Sequence, residues 1–272
     1  MAPRPLGPQI QIRPVTSESD VPMLAHLADI ALKPDGFHEF RRRYSSKNIY
    51  DDCAEKVTAS LRDVRGRYFL FKAVRAPESA SESQSDVDAK DSVGKEETIV
   101  AFAQWQIGYI ETPKTDPFAP KKEMVESSTL EAGVSNVATS EAGDQDEGEA
   151  VGIADQEASK PVYPNPDAEL LRKLSNSYIG TIRGKRHLFL HRLMVHPSYQ
   201  RQGIGQRLLD WGIETADREN IVSWLFSRPA GSRLYERNGW KEVLATEVEV
   251  PDEDLKVAPV ISMLRLPKGR TG

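Results

Sequence analysis

The chain lacks the features that define several large classes of protein. Its one cysteine, Cys53, can form neither an intramolecular disulfide nor a multi-thiolate zinc site, as expected in a reducing compartment. No apolar run approaches the roughly 18 residues that cross a bilayer, and Met1–Pro5 lacks the apolar stretch of a signal peptide. From these absences we expect a soluble intracellular protein without a membrane partner, cytoplasmic or, in the alternative, nuclear.

Acidic residues are concentrated in two segments, although the net charge of the 272 residues is only -5. Residues 76–97 and 111–160 are rich in Asp and Glu, and their only aromatic residue is Phe118. Such a composition cannot bury enough apolar surface to fold, so we predict two disordered acidic insertions within one domain spanning residues 1–272. The rest of the chain is net positive, which favours a polyanionic ligand unless the charge only solvates the surface. No run of Lys and Arg interleaved with aromatic residues suggests a nucleic-acid partner.

Outside these segments, the hydrophobic pattern alternates between strand and helix. Two apolar runs flank the first acidic segment and predict a hairpin with an inserted loop, since the entropy of loop closure grows only logarithmically with length. An N-cap at Ser19-Asp20, with Pro22 in the first turn, predicts a helix that continues to Ala31. The predicted elements are strands from Ile10 and over 68–74, 99–107 and 188–195, and helices over 21–31, 51–62 and 167–177.

The most informative local pattern is a strand, a glycine-containing turn and a helix. The turn comprises Gln200, Arg201, Gln202, Gly203, Ile204 and Gly205. Glycines let the backbone approach a ligand closely, and a helix N-terminus directs free N–H groups at an anion, so the turn is suited to a pyrophosphate. A dinucleotide fingerprint would require a small residue where Leu208 stands, and the chain has no Gly-Lys-Ser/Thr of a P-loop.

Two motifs together resemble the GNAT superfamily of N-acetyltransferases. Gln200, Gly203 and Gly205 after an apolar strand resemble its motif A, and Pro229–Gly231 followed by Leu234–Trp240 resembles its motif B. Within the superfamily the chain is most similar to a fungal branch that acts on small molecules. That branch carries a Trp-Gly and an Ala-Asp pair on the helix after the turn, matched here by Trp211-Gly212 and Ala216-Asp217.

The resemblance implies a fold and a co-substrate. The expected fold is α/β, a mixed and mostly antiparallel sheet flanked by helices, with a V-shaped split between strands 4 and 5. Acetyl-CoA would lie in the split, with its pyrophosphate on the turn and its pantetheine along Leu193, Met194 and Val195. The implied reaction transfers the acetyl group directly to an amine, and the branch favours a small molecule as acceptor. A backbone N–H at a bulge in strand 4 would polarise the thioester carbonyl.

Two side chains are candidates for catalysis. Tyr235 matches the tyrosine with which the family protonates the departing thiolate, although it could instead be a packing residue beside Leu234. His191 lies where some acetyltransferases carry a histidine that serves as base, but a core histidine bonded to backbone would give the same sequence. His187 and His191 are four residues apart, and without a further ligand at suitable spacing we predict no metal site.

One departure from the branch keeps other functions open. Relatives tend to carry an acid on the fifth strand, where this chain has Phe226-Ser227-Arg228. A non-catalytic acyl-CoA-binding module or a protein N-acetyltransferase of the same fold are therefore the alternatives. The sequence leaves the acceptor, the general base and the oligomeric state open. Four residues between the first two predicted helices either form the acceptor pocket or simply pack a helix end: Phe37, His38, Phe40 and Tyr44.

Overall fold

The computed structural model describes residues 10–76, 98–108 and 165–269. Its strands are β1 (Ile10–Pro14), β2 (Tyr68–Arg75), β3 (Thr98–Gly108), β4 (His187–Val195), β5 (Val222–Ser227), β6 (Lys241–Thr246) and β7 (Val260–Arg265). Its helices are α1 (Val21–Leu32), α2 (Gly36–Tyr44), α3 (Ile49–Leu61), α4 (Pro166–Ile182), α5 (Ile204–Glu219) and α6 (Pro229–Arg237). The strands form one sheet in the order β1-β2-β3-β4-β5-β7-β6.

The sheet is antiparallel except between β4 and β5. These two parallel strands pair from His187 opposite Val222 to Leu190 opposite Leu225, and the pairing then stops. β4 continues to Val195 without a partner on this side, so the two strands diverge. The expected fold class, with its split between strands 4 and 5, is confirmed.

β4 carries a bulge at the point where the split begins. Gln104 of β3 pairs with Arg192, whereas the next residue, Trp105, pairs with Leu190. His191 is therefore skipped in the backbone pairing with β3: one step along β3, from Gln104 to Trp105, corresponds to two steps along β4. An extra residue of this kind bends a strand and redirects its side chains, here at the opening of the split.

Helices cover both faces of the sheet. α5 lies close to β3 because Gly212 has no side chain, and a Cβ there would collide with the indole of Trp105. Trp211 packs with its ring 4.8 Å from that of Phe69 and 5.0 Å from that of Phe71. α1 and α3 form the other layer, around buried Leu24, Val57 and Phe102 among others. The Trp-Gly pair that resembled a fungal branch thus has a packing role.

The sequence-based elements omit α2 and the last two strands, β6 and β7. Only Phe40 of α2 is buried, so its apolar period was too weak to predict a helix, and it begins because Asp35 accepts a hydrogen bond from the N–H of Phe37 (3.0 Å). The acidic segments 76–97 and 111–160 lie, apart from Ala76, outside the described residues, so their disorder stays a prediction. Among the described helices, none has the length and apolarity needed to cross a membrane.

Candidate active site

The turn before α5 presents free backbone N–H groups. Gly203 is its N-cap, with φ of 85°, and has no side chain to bond the first turn of the helix. The first bond of the ladder runs from the N–H of Arg207 to the carbonyl of Gly203 (3.1 Å), so the N–H groups of Ile204, Gly205 and Gln206 precede it. Arg201 also has a positive φ, 63°, which tightens the loop. The geometry is that of an anion cradle.

A cavity of about 650 Å³ opens between this turn, β4 and α6, and we call it the turn-side cavity. Among the residues that line it are five arginines and no Asp or Glu: Arg192, Arg201, Arg228, Arg233 and Arg237. Arg192 and Arg228 are paired with Asp52 and Asp35, whereas the other three have no ion-pair partner among the described residues. The cavity therefore suits a ligand with several negative charges.

Tyr235 reaches the same cavity from α6. Its side chain is largely buried and packs against Trp240 at a ring distance of 6.0 Å, so part of it does act as core. Burial raises the pKa of the Tyr235 phenol, which keeps the hydroxyl protonated. The hydroxyl has no hydrogen-bond partner among the described residues and is not fully enclosed, which leaves its proton available to a ligand in the cavity.

A second cavity, also about 650 Å³, lies on the other side of β4 and is bounded by α1, α2, α3 and β2; we call it the α3-side cavity. The two cavities share five lining residues, namely Leu32, His191, Arg192, Met194 and Phe226. They therefore meet where β4 has separated from β5. A ligand in one can approach a ligand in the other only at this junction.

His191, the bulge residue, stands at the junction rather than in the core. Its Nε2 lies 2.7 Å from Oε1 of Gln106, and its ring stacks on Phe189 at 4.1 Å. The surrounding protein atoms lower the pKa of the imidazole, and the charges of Arg192 and Lys56 lower it further. The ring is therefore neutral near pH 7 and can accept a proton only transiently. The alternative of a histidine bonded to backbone does not describe its surroundings.

Asp52 organises the charged wall of the α3-side cavity. Its carboxylate lies 2.7 Å from Nζ of Lys56, 2.9 Å from the guanidinium of Arg192 and 3.7 Å from that of Arg41. These cations lower the pKa of Asp52 against the opposing effect of its burial. Arg192 also donates to Oε1 of Gln104 (2.7 Å), which fixes the guanidinium at the junction. The network connects α3 to β4 beside the bulge.

At the end of the fifth strand, where relatives tend to carry an acid, Arg228 forms an ion pair instead. Arg228 donates to both carboxylate oxygens of Asp35 (2.7 and 2.8 Å) and lies 4.8 Å from the ring centre of Phe37. The pair joins the end of β5 to the start of α2 and places Phe37 in the wall of the α3-side cavity. The other three candidates for an acceptor pocket do pack elsewhere: Phe40 is core, His38 bonds Asp29, and Tyr44 bonds Asp252.

The structure gathers most of the site residues predicted from sequence. The following line the turn-side cavity: Tyr235, His191, Leu193, Met194, Val195, Gln200, Arg201, Gly203, Ile204 and Gly205. Gln202 does not line it, since its side chain turns back to donate to the carbonyl of Ser198 (3.3 Å). Gln200 braces the loop by donating to the carbonyl of Val195 (3.2 Å).

The sequence did not predict the hydrogen bonds that join the start of α5 to the end of α6. Gln206 and Asn238 exchange two hydrogen bonds, of 2.9 and 2.8 Å, which tie α5 to the end of α6. Sequence reasoning also missed Asp52 and Lys56, whose i, i+4 spacing on a helix was readable but whose position beside β4 was not. Within the described residues, no group of three or more His, Cys, Asp or Glu is placed to hold a metal ion. His187, four residues before His191, contacts Tyr178 and the carbonyl of Lys185 instead.

The split sheet, the anion cradle and the two cavities that meet at β4 define a class of proteins that join a polyanionic carrier to a second ligand. Residues 169–242, from α4 into β6, match the family model described as the acetyltransferase (GNAT) domain. This match, which includes the turn, α5 and α6, agrees with the resemblance of the two sequence motifs to the GNAT superfamily. No curated protein matches the chain in sequence.

Several solved structures resemble the chain at low identity. The N-acetyltransferase PaiA of Thermoplasma acidophilum, in complex with coenzyme A, has 14% identity and a TM-score of 0.43, over 94% of this chain and 98% of that one. The ribosomal-protein-S18-alanine N-acetyltransferase of Escherichia coli has 16% identity and a TM-score of 0.40, over 97% and 96%. Naa20 of Chaetomium thermophilum, with a bisubstrate analogue, has 12% and 0.43, over 95% and 87%. These similarities do not identify an acceptor.

Proposed function

We propose that the protein is an N-acetyltransferase that moves the acetyl group of acetyl-CoA directly to the amine of a small molecule. The proposal rests on one observation: the two cavities meet at β4, where this strand has a bulge and no longer pairs with β5. One cavity suits a phosphate-rich carrier, and the other suits a compact acceptor. A direct transfer requires both ligands to meet at one point, and His191, Arg192 and Met194 mark it.

The turn-side cavity fits acetyl-CoA by the chemistry of its donors. The N–H groups after Gly203 would hold the pyrophosphate. Arg201, Arg233 and Arg237, which have no ion-pair partner in the described part of the chain, would face the remaining negative charge. Among the described residues, 191–195 of β4 have no strand partner on the β5 side, so their backbone groups there, apart from the Val195 carbonyl that accepts from Gln200, are open to the amides of pantetheine. This arrangement would direct the thioester towards the junction.

The reaction needs one bond made, one bond broken and two proton movements. The amine nitrogen attacks the thioester carbonyl, the C–N bond forms, the C–S bond breaks, and the amine loses a proton while the thiolate gains one. Tyr235 would supply the proton to sulfur, because its raised pKa keeps it protonated and its hydroxyl has no hydrogen-bond partner among the described residues. Backbone N–H groups near the bulge at His191 would stabilise the oxyanion.

His191 would receive the amine's proton or pass it to water at the junction. Its neutral ring and its place between the cavities support this role, whereas its lowered pKa argues for a relay rather than for a stored charge. A non-catalytic acyl-CoA-binding module is the second candidate. It is favoured by the absence of a carboxylate on β5, where Arg228 is committed to Asp35.

Calorimetry and a thiol assay separate these functions. Acetyl-CoA, CoA and NADH are titrated into the protein, and micromolar binding of the first two without the third is the expected result. Release of free CoA is then followed with a panel of small amines and with peptide N-termini. Binding without release by any acceptor would favour the module, and release with peptides alone would favour the protein N-acetyltransferase.

A further inference from the structure

The α3-side cavity has an aromatic wall beside the reacting point. Phe189 stacks on His191 at 4.1 Å, Phe226 packs edge-on against Phe189 at 5.7 Å, and Tyr68 lies 6.1 Å from His191. Phe37 completes the wall from α2. These rings pack against one another and present an apolar surface to the cavity, which suits an aromatic or other apolar body that would gain by leaving water.

The charged side of the same cavity has more cations than anions. Six charged residues line it, namely Arg41, Lys56, Arg67, Arg192, Asp52 and Asp63. Asp63 is paired with Arg67 at 3.0 Å, so Asp52 is the only carboxylate lining the cavity that faces Arg41, Lys56 and Arg192. Arg41 has a second partner in Asp167 at 3.1 Å, outside the cavity. The surplus of positive charge therefore remains at Lys56 and Arg192.

The charged side of the α3-side cavity would repel a second ammonium group on an amine acceptor but attract a carboxylate. A second ammonium on the acceptor would meet no uncommitted carboxylate in this wall, and it would be repelled by the surplus cations. A carboxylate on the acceptor would find Lys56, whose ammonium has donors left after bonding Asp52. The same cations lower the pKa of His191, and they would also favour the neutral, reactive form of the bound amine.

We infer that the acceptor is an amine on an aromatic or apolar body that also carries a carboxylate, as in an aromatic amino acid. Lys56 is then the residue that determines specificity for the carboxylate, and Phe37, Phe189 and Phe226 hold the body. The inference rests on the proposed acetyl transfer and names its substrate class. Polyamines and amines without a carboxylate are the poorer substrates.

The test uses L-phenylalanine, two probes that each lack one of its groups, and a polyamine that lacks both. L-Phenylalanine has the aromatic body and the carboxylate, phenethylamine lacks the carboxylate, L-alanine lacks the body, and spermidine adds positive charge. We expect kcat/KM for thiol release from acetyl-CoA to be at least about tenfold higher for L-phenylalanine than for any of the others. In a second arm, calorimetry measures binding of the same probes to the protein saturated with CoA, and the same order is expected there.

A charge reversal assigns the preference to Lys56. Lys56→Glu should lower the ratio of L-phenylalanine to phenethylamine by about tenfold, mainly through KM, while acetyl-CoA affinity stays unchanged. Lys33→Glu is the matched control, because Lys33 has the same i, i+4 pairing with an Asp and the same exposure, 57% against 58%, yet lines neither cavity. Its ratio should equal that of the wild type.

Each outcome has one meaning. A preference for phenethylamine or spermidine, or an unchanged ratio in Lys56→Glu, would overturn the substrate class while leaving acetyl transfer intact. Absence of thiol release with every probe, together with binding of acetyl-CoA, would contradict the proposed catalysis. The calorimetric arm still decides the substrate class in that case, since it needs no turnover, and absence of probe binding there would overturn it.

Discussion

The two cavities lie on either side of β4 and are built in opposite ways. The turn-side cavity depends on backbone, namely the N–H groups after Gly203 and the unpaired edge of β4, with arginines that have few partners. The α3-side cavity depends on side chains that are fixed to one another through Asp52 and Asp35. A site made of backbone groups can be recognised from a short local motif in the sequence. A site made of side chains brings together residues from distant segments, and no local motif marks it. The carrier is therefore easier to infer than the acceptor.

The largest effect that would test this difference between the cavities is expected from a change in the backbone of the turn. Gly203→Val should lower acetyl-CoA affinity by more than about 100-fold, because a β-branched residue at φ of 85° is strained and its side chain obstructs the phosphate. Calorimetric titration measures the loss. Gly184→Val is the control, since Gly184 has a similar φ of 70° but open space around it and lies outside both cavities. Equal losses in both variants would contradict the cradle.

The next largest effect concerns the only tyrosine hydroxyl that we place in the chemistry. Tyr235→Phe should lower kcat by about 10- to 100-fold and leave acetyl-CoA affinity near the wild-type value, because the thiolate loses its proton donor but the cavity keeps its shape. Steady-state rates of thiol release measure it. Tyr178→Phe removes another buried hydroxyl, bonded to His187 under the sheet, and should leave kcat unchanged. A full kcat for Tyr235→Phe would make it a packing residue.

A smaller effect, on the pH dependence of stability, is expected from His187, which lies outside both cavities, unlike His191. His187 is fully buried and outside both cavities, and its burial lowers the pKa of the ring below 6.5. The unfolded chain then binds a proton that the folded chain does not, so the free energy of unfolding falls as pH drops from 6.5, by up to about 1.4 kcal/mol per pH unit. His187→Gln should reduce this slope between pH 6.5 and 5 in urea unfolding without abolishing it, because the lowered pKa of His191 contributes to the same slope. His26→Gln, on the exposed side of α1, should keep it, and an equal slope in His187→Gln would contradict the assignment.

The smallest expected effect tests the Asp35–Arg228 ion pair beside the α3-side cavity, which we call the clamp. Asp35→Asn should lower the free energy of unfolding by about 1 kcal/mol, because Arg228 loses a part-buried bidentate partner while the amide can still cap α2. Glu18→Gln breaks the equally bidentate but exposed pair with Arg62 and should leave the free energy of unfolding close to that of the wild type, because solvent screens the pair. If both variants lose the same amount, the clamp has no special role.

The sequence determined the parts of the protein that depend on local pattern. The apolar periods predicted β2, β3, β4, α1 and α3 to within a few residues, and α4 through its first three turns, because each of these elements buries a regular stripe or face. The turn from Gln200 to Gly205 could be identified because its glycines lie between an apolar strand and a helix and because a second motif, from Pro229 to Trp240, follows it. α2 was not legible, since one buried residue, Phe40, sets no period.

Only the tertiary structure decided what surrounds the reacting point. The bulge at His191 arises from the register between β3 and β4, which no local pattern specifies. Asp52 and Arg192 are 140 residues apart in the chain, so their meeting depends on how α3 packs against the sheet, and Asp35 and Arg228 are 193 residues apart. Charge and aromatic character in a cavity are sums over such distant residues, and for this reason the acceptor class emerges from the fold while the carrier emerges from the turn.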